Sequence, residues 1–354
     1  MTMESHAPPR YRRPWKNLAI SVARALLQKG GGLHDVRYWN RDGFRILMYH
    51  DFPAPTSERP DFLAKQCAHI ARHYQVLSLT EIAQALHSGK RLPQNAVVVT
   101  VDDGNRDFFV NGYPVFRAYR IPVTAFLVSG FLDRKLWLWW DKIEYLVTES
   151  QKSSFQFALS THLPPAEFTL ETNEQRRHAI STIVFALKTH AMDEREAALQ
   201  QLSRLLAVEI PSQAPPQWAP LDWSEVRHMA DNEMEFGGHT VTHPLLSRIT
   251  DVQELLREIG DCKRRIEEEL NRPALHFCYP YGCWDDFNDH TLKVVKECQY
   301  RTAVTAEHGL NYRGAHPFTL RRISVEPTTS EVYFQELLAG LHLKSHEEEP
   351  TPFA

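Results

Sequence analysis

The feature that most narrows the fold is an alternation that begins at residue 44. Short apolar runs at 44–49 (FRILMY), 97–101 (VVVTV), 123–128 (VTAFLV), 234–237, 275–279, 303–305 and 320–325 are rich in β-branched and aromatic residues. Runs of this length and composition read as buried strands. Between them, 61–73, 80–88, 112–119, 224–231, 251–270 and 286–297 carry apolar residues at helical spacing, and Thr80 with Glu81 behind it reads as a helix start. Strands that alternate with helices need crossover connections, which make a sheet parallel. Seven or eight such units predict an α/β fold closed into a barrel.

The alternation breaks between about 136 and 220. LWLWWDKIEYLV is aromatic and helical, 155–157 and 167–170 flank a Pro-Pro turn as a hairpin, and 174–187 and 193–208 read as two amphipathic helices. The chain then divides into an N-terminal amphipathic segment (1–43), a first part of the barrel (44–135), a mostly helical insertion over one mouth (136–222), a second part of the barrel (223–335) and a helix end with an acidic tail (336–354). Trp137, Trp139 and Trp140 read either as packing or as a carbohydrate-stacking platform. The apolar piece 18–27 is broken by Ser21 and Arg24 and lacks a small-residue cleavage site, so it reads as a short helix rather than a secretory signal. Such a helix packs on the domain or makes peripheral membrane contact. On that reading the expected location is the cytoplasm or the inner membrane face. With 40 Lys+Arg against 44 Asp+Glu there is no electrostatic case for nucleic acid. Five cysteines, an odd number spread along the chain, fit thiols better than a disulfide framework.

Three segments carry chemistry. Thr100-Val101-Asp102-Asp103-Gly104 follows a buried strand, and two adjacent carboxylates there are costly unless a cation or donors face them. It is equally a turn sequence. Gly238-His239-Thr240-Val241-Thr242-His243-Pro244 follows the run MEF, and two His with three residues between them meet on one side of a helical turn. Two His with one Asp make a three-donor set that leaves positions open on a metal, the mark of a catalytic site. Phe277-Cys278-Tyr279-Pro280-Tyr281-Gly282 is a rigid loop, or a wall of a substrate groove that presents backbone N–H groups.

TVDDG, HTVTHP and YPYG, in this order and each at a strand end, resemble the first three motifs of the polysaccharide deacetylase family. The resemblance covers about 44–135 and 223–326. It implies a deformed (β/α) barrel of about seven strands and metal-dependent removal of acetyl groups from N-acetylated sugars, oligosaccharides or polysaccharides. It implies Asp103, His239 and His243 as ligands of one divalent ion, zinc first and Co, Ni or Mn as alternatives, with Asp102 as general base. Tyr279, Pro280 and Tyr281 would bind substrate or the oxyanion. Met48-Tyr49-His50-Asp51 at the first strand end resembles the permuted branch with poly-N-acetylglucosamine deacetylases, which makes His50 the general acid.

One position departs from the family. Where many relatives carry an Arg that pairs with the catalytic Asp, this chain has Cys278. Arg321 or Arg322, at the next strand end, is the expected replacement. Two other classes of function remain open at this stage: a hydrolase of a non-sugar amide on the same fold, and a non-catalytic carbohydrate-binding barrel.

Overall fold

The structure is a computed structural model that describes residues 32–55, 62–159 and 164–341. The expected N-terminal helix at 18–27 and the acidic tail after 341 lie outside the described residues. Seven parallel strands close into a ring: β1 (Arg45–Tyr49), β3 (Ala96–Val101), β4 (Val123–Leu127), β7 (Glu235–Gly238), β8 (His276–Cys278), β9 (Thr302–His308) and β10 (Leu320–Ser324). Neighbours around it run β1-β10-β9-β8-β7-β4-β3, and β3 returns to β1 through a five-residue register from Arg45↔Val97 to Tyr49↔Val101. A two-residue strand, β2 (Gln75–Val76), flanks the start of β3. β1, β3 and β4 are buried along their whole length. This explains their mostly apolar character: helices cover one face and barrel interior the other. The fold is the deformed (β/α) barrel expected from the alternation and the motifs.

Local differences have local causes. The helix expected to start at Thr80 is capped by Ser78 instead, whose hydroxyl accepts from the Glu81 N–H while Glu81 reaches back to the Ser78 N–H. The helix expected over 251–270 is interrupted: Val252–Leu256 and Cys262–Leu270 are α-helical, and Arg257–Asp261 between them is a π-turn.

Between β4 and β7 the chain leaves the barrel. Helix Trp139–Glu149, an antiparallel hairpin of β5 (Ser154–Phe157) and β6 (Ala166–Thr169), and helices Asn173–Leu187 and Met192–Leu206 enclose their own apolar cluster, with Leu146, Phe157, Ile183 and Leu202 at its centre. Among the described residues no helix is long and apolar enough to cross a membrane.

Candidate active site

All three motifs lie at the C-terminal ends of strands, the end of such barrels where loops from different strands converge. β3 runs into Asp102 and Asp103, β7 into His239, and β8 into the turn with Tyr281. Asp103 takes a left-handed backbone (φ 72°), continued by Gly104 (φ 90°). At Gly104 a Cβ would meet the end of the Leu132 side chain at 2.8 Å, and the left-handed backbone is one that glycine adopts without strain. The two histidines do not share a helical turn as their spacing predicts. They lie on a loop in which Thr240 (φ 70°) and His243 (φ 57°) are both left-handed. The Thr240 hydroxyl accepts from the His243 N–H, and Glu258, in the π-turn, accepts from the Val241 and Thr242 N–H groups and the Thr242 hydroxyl. This loop brings the imidazole centroids within 4.7 Å.

The donors converge. Asp103 Oδ1 lies 3.4 Å from His239 Nε2 and 3.7 Å from His243 Nε2, and all three residues are buried. Asp103 Oδ1 has no hydrogen-bond partner among the described residues. His239 Nδ1 is 2.8 Å from the Cys278 carbonyl oxygen, which fixes the ring with Nε2 toward Asp103. A buried carboxylate oxygen without a donor, facing two imidazole nitrogens, fits a divalent cation.

Asp102 is held differently. Both of its oxygens accept from Arg322, at 2.7 Å each, and pair and partner are fully buried. Arg322 is oriented in turn by the Thr305 carbonyl and the Thr100 hydroxyl. Burial alone would raise the Asp102 pKa, but the Arg322 guanidinium outweighs it and holds the carboxyl far below the usual range. Cys278 Sγ lies 3.4 Å from Asp102 Oδ2 and 3.1 Å from Arg322 Nη2, filling the space beside the pair. Of the two candidate arginines, then, Arg322 meets Asp102. Arg321 points elsewhere, with its guanidinium 6.0 Å from the Trp284 ring centroid. His50, partly exposed, places Nε2 3.7 Å from Asp102 Oδ2.

The YPYG turn is split. Tyr279 leaves the expected substrate group: it is buried, stacked on Phe287 at 4.0 Å, and donates its hydroxyl to the Phe318 carbonyl. Pro280 is buried beneath the turn and has no N–H to offer. Tyr281 alone faces the histidines, its ring 4.8 Å from His243, in a left-handed conformation (φ 62°). Among the described residues its backbone N–H has no acceptor. The insertion grips it: Trp139 Nε1 donates to its hydroxyl at 3.1 Å, Arg195 Nη1 at 3.4 Å, and Lys188 lies over its ring. The three tryptophans have separate roles. Trp137 packs against Tyr145 and Trp218, Trp139 holds Tyr281, and Trp140 lies 4.7 Å from the His243 ring. A cleft of about 770 Å³ opens above Asp103, walled by His50, Trp140 and Trp218. Glu258, Arg195 and the cleft residues Asp107, Asp141 and Glu144 lie outside the sequence motifs.

The chain is 21% identical over 288 residues to the putative polysaccharide deacetylase YxkH of Bacillus subtilis, covering 80% of this chain and 72% of that one. Over 102 residues it is 29% identical to the poly-β-1,6-N-acetyl-D-glucosamine N-deacetylase of Escherichia coli, a stretch that is 27% of this chain and 15% of that longer protein. The Streptococcus pyogenes deacetylase PplD, solved with acetate, shares the fold with a TM-score of 0.54 at 19% identity, over 84% of this chain and 99% of that one. The polysaccharide deacetylase profile matches residues 89–196 and 176–303, well over half of the sequence, and the chain belongs to that family.

Proposed function

We propose that this protein is a metal-dependent hydrolase that removes N-acetyl groups from an amino-sugar glycan. The observation that carries the reading is the division of labour between two adjacent carboxylates. Asp102 is fully paired with Arg322, while Asp103 Oδ1 has no hydrogen-bond donor among the described residues and faces two imidazole nitrogens. Asp103, His239 and His243 would hold one divalent ion. Zinc is the first candidate, and the same donors accept Co, Ni or Mn. When bound, such an ion lowers the pKa of a water and polarises the acetyl carbonyl. Asp102, ionised at neutral pH, accepts the proton of the attacking water through Oδ2. His50 protonates the departing amine nitrogen. The free Tyr281 N–H receives the negative charge that develops on the carbonyl oxygen. The named activity of the Escherichia coli relative supports a sugar rather than a small cyclic amide as substrate.

Two measurements test this together. Purified protein should hold about one equivalent of metal, lost in Asp103→Ala and His239→Ala. The loaded protein should release acetate from N-acetylglucosamine oligomers, and Asp102→Asn should abolish release while keeping the metal. Metal binding without acetate release from any glycan would make the barrel a binding protein. Release from small amides alone would move the substrate class.

A further inference from the structure

The cleft above the three donors carries acidic groups that hydrolysis leaves unused. Asp51 follows β1, Asp107 follows the TVDDG turn, and Asp141 and Glu144 come from the first helix of the insertion. All four line the cleft beside Trp140 and Trp218. Asp141 decides the matter: it is 6% exposed, it lines the cleft, and its Oδ2 has no hydrogen-bond partner among the described residues. After burial itself, its strongest electrostatic neighbours are Asp51, Asp103, Glu144 and Asp107, every one acidic. Arg106, at the rim, is already engaged, with Nε donating to Glu225 at 2.8 Å. Burial and these neighbours push its carboxyl well above the usual range, so it holds a proton unless a cationic donor draws that proton off.

We propose that this pocket binds a protonated amino group, so that the preferred substrate is a glycan already carrying free amines beside the N-acetyl unit to be cleaved. The proposal rests on the deacetylase reading and names its substrate class. An ammonium brings three donors and a full charge to the carboxylates, whereas an N-acetyl amide is neutral there. Trp140 and Trp218 supply apolar and cation-attracting faces for the ring that bears it. Each turnover converts an amide and a water into acetate and one ammonium. The product of one event is then a better substrate for the next, and amines accumulate in runs.

The test compares two N-acetylglucosamine tetramers of one linkage, fully acetylated or with a single free amine. In the wild-type enzyme kcat/KM should favour the amine-bearing tetramer about tenfold, and added NaCl should shrink that ratio. Asp141→Asn, which keeps the side-chain shape, and Glu144→Gln, at an exposed position, should each bring the ratio toward one. A ratio of one in the wild type, or one preserved in both variants, overturns the proposal. Calorimetric binding of a glucosamine tetramer keeps the two readings apart. Binding that Asp141→Asn weakens, with no acetate released from any glycan, retains the ammonium pocket and removes the deacetylase. Acetate released equally from both tetramers, with no such binding, does the reverse.

Discussion

Asp102 and Arg322 are a fully buried ion pair, and such pairs reveal themselves when one partner is removed. Arg322→Leu leaves a carboxylate with no counter-charge in the barrel, and should cost about 3–5 kcal/mol of stability at pH 7, read from the urea midpoint. Because the folded pKa of Asp102 is depressed, the pair's contribution is present above the unfolded value of about 4 and is lost as pH falls further. The deficit of the variant should therefore narrow in acid. Asp107 works the other way. Burial pushes its carboxyl up to about 7, so the folded state holds a proton that the unfolded chain has already released. Stability then declines as pH climbs from about 4 to 7. Asp107→Asn should be more stable than wild type at pH 8 by about 1–3 kcal/mol, with the advantage gone near pH 4.

At the scale of elements, two supports around the site invite substitution. Glu258 sits in a π-turn and holds the loop between the histidines by three hydrogen bonds. Glu258→Gln should loosen that loop and weaken metal binding by about tenfold to a hundredfold, measured by competition with a chelator. Trp139→Phe removes the indole donor to the Tyr281 hydroxyl; it should lower kcat more than it raises KM if the insertion positions that turn. Neither support was legible in the sequence. A π-turn shifts the helical phase by one residue, which in a pattern of apolar spacings looks like ordinary drift, and Glu258 reads as one more solvated acid. Arg195 likewise reads as the polar face of an amphipathic helix. The carboxylates and histidines stood out by their place at strand ends, although the spacing of His239 and His243 belongs to a left-handed loop and not to a helical turn; Tyr279 and Tyr281 were not distinguishable. Two residues apart in a turn, they differ only in which way the backbone bends, and the left-handed φ at Tyr281 is a tertiary outcome.

For the whole molecule, a ligand that binds only the folded state stabilises it. Zinc added to metal-free protein should raise the melting temperature of the wild type and leave Asp103→Ala unmoved, read by calorimetry. The parallel barrel itself was readable, since strand and helix periods alternate along most of the chain. The order of strands around it was not, because periodicity holds no record of which distant strands become neighbours. The ring closes where β1 lies between β3 and β10. That placement has a consequence for biosynthesis. β1 is complete at Tyr49, but its second neighbour ends only at Ser324. At about 5–20 residues per second the ribosome needs on the order of tens of seconds to deliver it. Through that interval the nascent chain offers one bare strand edge to solvent and to chaperones. Asp102 waits through most of that interval for its counter-ion, so translation halted after β9 would yield an open sheet with a stranded anion rather than a smaller enzyme.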